Sequence, residues 1–212
     1  MRVTIVYDNT TYKGGLNSDW GFAGVVEYGR RKILFDTGAN GSILLSNMRD
    51  LGIEPKEIDE VFISHNHHDH TGGLPLFLGE NSNVKIWAPP SFRPPVRVEG
   101  AETLVGPAKL HKGVYTTGEL EGIEQSLCLE TERGIVVIAG CSHPSMRNIL
   151  DTASKFGELY GIIGGLHATK PSSLDRLKFI CATHCTKRKS EIKSMYPDRY
   201  VQGGAGREIE IP

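Results

Sequence analysis

Short apolar runs recur along the chain, separated by glycine, proline and polar residues. Arg2–Tyr7, Phe22–Tyr28 and Lys32–Asp36 read as strands, the last two forming a hairpin through Gly29-Arg30-Arg31. The loop from Asp8 to Asp19 carries the turn formers Asn9, Gly14, Gly15 and Asn17. Ile43, Leu44, Met48 and Leu51 space as one face of a helix over Ser42–Leu51, ended by Gly52. Val61-Phe62-Ile63 predicts a strand, Gly72–Leu78 a helix and Val84–Trp87 another strand. Ala88–Pro95 holds Pro89, Pro90, Pro94 and Pro95, which excludes helix and central strand. It reads either as an ordered loop over a site rim or as a plain connector. Val114–Thr117, Glu124–Thr131 and Gly134–Ala139 predict successive strands. Ile135–Ala139 is apolar throughout, so it is expected to be buried on both faces. A helix over Pro144–Phe156 presents Met146, Ile149, Leu150 and Ala153 on one face. Tyr160–Leu166 and Phe179–Thr183 predict two more strands, each followed by a polar stretch of helical character, and Glu208–Ile211 a last short one. Strands alternating with helices point to a layered protein of both classes.

Histidine placement adds chemistry to this pattern. Ser64-His65-Asn66-His67-His68-Asp69-His70-Thr71-Gly72-Gly73 follows an apolar strand. Residues two apart on an extended chain point the same way, so His65 and His67 can grip one ion together. The chain then turns, which directs Asp69 and His70 to a neighbouring position. His143, His167 and His184 each follow the end of a further apolar strand. Strand ends on one rim converge, so these groups are expected to form one site. The mixture of imidazole and carboxylate suits zinc, with manganese or iron as alternatives. His68 and His111 are read as solvated.

Length and charge bound the rest. The chain has 212 residues, suited to one domain spanning 1–212, and a net charge of -1. The charge gives no argument for nucleic acid or an anionic membrane. No apolar run spans a bilayer and no signal peptide is evident, so a cytoplasmic location is expected. Cys128, Cys141, Cys181 and Cys185 lack Cys-x-x-Cys spacing. Cys128 reads as a small buried residue. The glycine-rich tail Gly203-Gly204-Ala205-Gly206-Arg207 offers weak support for a phosphate loop. Oligomeric state is open, and a homo-oligomer is compatible with the sequence.

The order Asp36-Thr37-Gly38, His65-x-His67-x-Asp69-His70, His143 and His184 covers almost the whole chain. It resembles the metallo-β-lactamase superfamily, which implies an α+β fold, an αββα sandwich with a metal site at one rim. The resemblance implies two ions, one held by His65, His67 and His143, the other by Asp69, His70 and His184. It also implies that Asp36 lies beneath the site and hydrogen-bonds the histidine loop. Gly140-Cys141-Ser142-His143, Gly164-Gly165-Leu166-His167 and Thr183-His184-Cys185-Thr186 look like the branch containing the archaeal dihydropterin synthases of methanopterin biosynthesis. Dinuclear members generally bridge their ions with an aspartate where this chain has His167. Either His167 substitutes for that ligand, or it faces substrate, or the second ion is weakly held.

These observations lead first to a metal-dependent hydrolase of a small molecule carrying an ester, phosphoester or diphosphate. The metals would activate a water, with Asp69 orienting it. The alternative is a transferase joining a dihydropterin to a ribofuranosylaminobenzene phosphate. A non-catalytic metal-binding module is the third reading. A nuclease is disfavoured by the absence of a basic surplus.

Overall fold

The computed structural model describes residues 1–95, 98 and 100–212; within the irregular stretch 81–100, residues 96, 97 and 99 lie outside the described residues. Arg2–Tyr7 (β1), Ala23–Tyr28 (β2) and Arg31–Phe35 (β3) pair antiparallel. Asn40 then caps helix α1 (Gly41–Asp50) by accepting the N–H groups of Ser42 and Ile43. The chain returns as β4 (Glu60–Phe62), parallel to β3, and passes through α2 (His68–Thr71) and α3 (Leu74–Glu80). β5 (Lys85–Ala88) and β6 (Glu102–Thr103) continue the parallel set. β7 (Ala108–His111), β8 (Val114–Thr116), β9 (Leu127–Thr131) and β10 (Gly134–Ala139) form an antiparallel meander. Helix α4 (Met146–Ala153) leads to β11 (Leu159–Gly165), then β12 (Phe179–Thr183), both parallel to β10. Helix α5 (Lys189–Met195) precedes β13 (Glu208–Glu210), which pairs with β1. The first sheet runs β13-β1-β2-β3-β4-β5-β6 and the second β12-β11-β10-β9-β8-β7.

Alternation within strands builds four layers. Phe35, Phe62, Val136, Ile138, Ile163 and Cys181 face the space between the sheets. Leu34 and Val61, one residue out of phase, meet Leu44, Met48, Leu74 and Phe77 of α1 and α3. Ile135, Val137, Ile162 and Ile180 meet Ile149, Leu150 and Ile192 of α4 and α5. This is the expected αββα sandwich, and β10 is buried on both faces as its apolar run requires.

Three local expectations change. The histidine motif is itself partly helical, because α2 begins at His68 inside it. Glu124-Gln125-Ser126 lies outside β9: Gln125 Nε2 donates to the Ile63 carbonyl at 2.9 Å, Ser126 N–H donates to Thr117 Oγ1 at 2.8 Å, and Glu124 binds the turn after β10. His111 is not solvated: its Nε2 lies 2.6 Å from Oε1 of Glu60, which is buried and also accepts from Trp87 Nε1 at 2.5 Å. Glu60 takes its hydrogen bonds from Arg31 and Trp87, and His111 packs against it at ion-pair distance without forming a hydrogen bond.

Candidate metal centre

The carboxyl ends of β3, β4, β10, β11 and β12 all open on one rim, where Asp36, the His65–His70 stretch, Cys141 to His143, His167 and His184 follow. Ligands of open α/β sheets bind at such ends. Asp36, Ser142, His167 and His184 have positive φ angles of 53°, 57°, 41° and 43°. Such conformations cost roughly 1–3 kcal/mol each and persist only when surrounding bonds enforce them. For His184 the enforcement is visible: its N–H donates to Asp8 Oδ1 at 2.7 Å.

The first cluster joins His65, His67 and His143. His67 Nδ1 is 3.1 Å from His65 Nε2 and 3.1 Å from His143 Nε2. Ser64 Oγ donates to Asp36 Oδ2 at 2.6 Å, so it accepts from His65 Nδ1 at 2.9 Å. His65 Nε2 therefore presents a lone pair to its neighbours. One proton on His67 cannot serve both contacts well, whereas a cation among the three nitrogens does. Nitrogens 2.0–2.1 Å from a tetrahedral zinc stand about 3.3 Å apart, close to this spacing. Burial and the adjoining His70, His143 and His67 push the His65 pKa down. Burial and His67 push His143 down to about 4. Both rings are thus neutral at pH 7, the form that binds metal.

The second cluster joins Asp69, His70, His184 and Cys141, each offering one donor atom within 4.8 Å of the others. His70 Nδ1 donates to Asp36 Oδ2 at 2.7 Å, directing Nε2 toward Cys141 Sγ at 3.2 Å. Asn9 fixes His184. Its Nδ2 donates to the His184 carbonyl at 3.2 Å and its Oδ1 accepts from Gly21 N–H at 3.1 Å, so Oδ1 faces His184 Nδ1 at 2.8 Å. His184 Nε2 is left with a lone pair, buried and without a hydrogen-bond partner, although Asp69 Oδ2 stands 3.1 Å away. Burial lowers the His184 pKa. Burial opposes the Asp69 charge, but His184 and His70 outweigh it and hold the carboxyl well below its usual range. The residues thus fit a metal pair, by an orphaned buried nitrogen and by imidazoles whose outer nitrogens are already engaged.

Asp36 lies beneath both clusters. It is completely buried, and Oδ1 accepts from Ser64 N–H at 2.7 Å while Oδ2 takes Ser64 Oγ and His70 Nδ1. Glu124, unmarked by the sequence reading, does comparable work on the second sheet. Its Oε1 accepts the N–H groups of Gly140, Cys141 and Ser142 at 3.0, 3.1 and 3.1 Å, and Oε2 that of His143 at 2.9 Å. Gly140 is required here, since a Cβ would fall on Ser64 Oγ. Cys141 was also missed, because a cysteine between glycine and serine carries no spacing signal.

His167 stands beside His143, ring centroids 5.2 Å apart, half-buried and outside the convergent groups found among the described residues. His68 is exposed. Trp20, 58% exposed, stands with its ring 5.0 Å from that of His184. The proline-rich loop is fastened to the motif, with Phe92 buried and Arg93 N–H donating to Asn66 Oδ1 at 2.7 Å. The glycine-rich tail is differently engaged: the N–H groups of Ala205, Gly206 and Arg207 donate to Thr10, Ile5 and Gly204 carbonyls. Those amides are not free for a phosphate.

Comparison with known proteins agrees with this geometry. The model of the metallo-beta-lactamase superfamily matches residues 21–180. The chain is 28% identical over 280 residues to the 7,8-dihydropterin-6-methyl-4-(beta-D-ribofuranosyl)-aminobenzene-5'-phosphate synthase of Methanocaldococcus jannaschii, covering 98% of this chain and 95% of that protein. An uncharacterized protein of the same organism is 24% identical, covering 99% and 100%. A solved structure described as a metal-dependent hydrolase of the beta-lactamase superfamily superposes with a TM-score of 0.82 at 24% identity, covering 100% of this chain and 99% of that one. Sandwich, rim and family match together place this chain in the metallo-beta-lactamase superfamily.

Proposed function

We propose that the protein is a metal-dependent hydrolase of a small phosphorylated molecule, with one divalent ion held by His65, His67 and His143 and a second beside Asp69, His70 and His184. The observation that carries this reading is the convergence of imidazole nitrogens whose opposite nitrogens are already bonded, with His184 Nε2 buried and orphaned. Bound there, divalent ions would supply an acidified water and polarise a phosphoryl oxygen. Asp69, ionised and 20% exposed, would orient the attacking water by accepting a hydrogen bond from it. Trp20 and the Phe92 loop bound the opening, one a flat apolar wall, the other fastened through Asn66.

A second reading is favoured by the likeness to the dihydropterin-linked synthase over nearly the full chain. In it a C–N bond would form between the amino nitrogen of the aminobenzene riboside phosphate and the methylene carbon of the dihydropterin, with loss of the amine proton and of the diphosphate, and the same cationic site would neutralise that leaving group. Two assays separate the readings. Zinc- or manganese-loaded protein is incubated with bis(4-nitrophenyl) phosphate, and separately with a dihydropterin methyl diphosphate plus the aminobenzene riboside phosphate. Hydrolysis is expected, and His65→Ala is expected to reduce it by more than the ~10–100-fold that loss of a ligand-orienting group costs. Coupled product without hydrolysis would establish the synthase reading. Metal bound with neither product would leave a binding module.

A further inference from the structure

β10 delivers two donors to the rim, where the family resemblance led us to expect one. Cys141 precedes His143 by two residues, is 3% exposed, and places Sγ 3.2 Å from His70 Nε2. The contact is not an isolated thiol against a wall. Asp69, His70, Cys141 and His184 bring four donor atoms together, and the unpartnered His184 Nε2 opens on the same space. The residue that follows β11 at the rim is His167, which stands beside His143 instead, while Asp175, later in the same connection, accepts a hydrogen bond from the Tyr196 hydroxyl.

We propose that Cys141 binds the second ion as a thiolate, together with Asp69, His70 and His184. The inference rests on the two-ion reading above. The spacing suits it: zinc–sulfur bonds near 2.3 Å and zinc–nitrogen bonds near 2.0–2.1 Å give tetrahedral edges of about 3.3–3.6 Å. The corresponding separations are 3.2 Å from Cys141 Sγ to His70 Nε2, 3.1 Å from His184 Nε2 to Asp69 Oδ2, and 3.7 Å from His70 Nε2 to Asp69 Oδ2. Binding breaks the S–H bond, forms the sulfur–metal bond and releases the proton to water. The resulting set of two imidazoles, one carboxylate and one thiolate favours zinc, cobalt or iron(II) over magnesium and manganese, which prefer oxygen. Cys185 supplies the control. It also is buried, and its Sγ faces the Cys141 carbonyl at 3.8 Å, outside the four-donor group.

The test loads metal-free protein with cobalt(II) and follows the near-ultraviolet sulfur-to-cobalt charge-transfer band while bound metal is counted. Wild type is expected to bind two equivalents and to show the band. Cys141→Ser is expected to lose the band and to bind the second equivalent ~10–100-fold more weakly, or not at all. Cys185→Ser is expected to keep both. X-ray absorption of zinc-loaded wild type, which depends on no variant folding, is expected to show sulfur among the ligands. Two equivalents bound without a band or a sulfur scatterer would overturn the Cys141 assignment and leave the two-ion reading standing. One equivalent or none in wild type would overturn both.

Discussion

Complete burial disfavours a charge on the His70 ring, yet Asp36 at 2.7 Å and Asp69 beyond it raise its pKa above the ordinary histidine value. The folded metal-free protein therefore keeps a proton that the unfolded chain gives up near ~6.5. The stabilisation is fully present below that value and is lost as pH rises through the higher folded pKa. An ion on Nε2 would take the place of the proton and remove this dependence. Calorimetry from pH 6 to 9 is expected to show the Tm of metal-free protein falling above about pH 6.5, with a flatter profile for zinc-loaded protein. A metal-free profile flat across this range would contradict the pairing. Residue spacing exposed much of this cluster in advance, since His65, His67, Asp69 and His70 fall within one short stretch. Cys141 and Glu124 were invisible for a physical reason. The contact of Cys141 with His70 joins positions 71 residues apart, and nothing in either local sequence encodes that approach. Glu124 sits in Glu119-Leu120-Glu121-Gly122-Ile123-Glu124, where one carboxylate looks as solvated as the next.

Among the elements, the turn from β10 into α4 depends most on a single side chain. Four consecutive N–H groups, Gly140 to His143, converge on the Glu124 carboxylate, and Ser142 between them has a positive φ. An amide offers one oxygen, and its NH2 group would oppose a backbone N–H. Glu124→Gln is expected to shift Cys141 and His143 together and to weaken zinc binding by ~10–100-fold, read by competition with a chromophoric chelator, with the far-ultraviolet circular dichroism retained. Unchanged zinc affinity would show that the turn holds its shape without the carboxylate. Element visibility followed burial. β10, β11 and β12 are continuous apolar runs and were evident. β6 and β7 were not, because β6 is two exposed residues and β7 is a partly exposed edge strand carrying Lys109 and His111. The helical start at His68 was also hidden, since α2 is one turn long and its residues are chosen for chemistry rather than helix propensity.

Across the whole molecule, the donors come from both halves of the sandwich. His65, His67, Asp69 and His70 follow the first sheet, and Cys141, His143 and His184 follow the second. Metal bound between them, as proposed above, would fasten one sheet to the other and add to folding stability. At a free concentration of 100 Kd, one ion that binds only the folded state contributes about 2.7 kcal/mol. For a domain of this size that corresponds to roughly 5–10 °C in Tm. Removing metal with EDTA is expected to lower the Tm by at least this amount, and restoring zinc to recover it; a thermal scan insensitive to chelator would argue against inter-sheet ligation. Asp36 gives this arrangement a further property. One carboxylate reaches His70 directly and His65 through Ser64, so the basicity of an imidazole in each cluster draws on the same pair of oxygens. Electron density withdrawn by an ion in one cluster would then be less available to the other. If both clusters load, loading would be a linked equilibrium, and linkage is reciprocal: whatever factor the first ion imposed on the affinity for the second, the second would impose on the first.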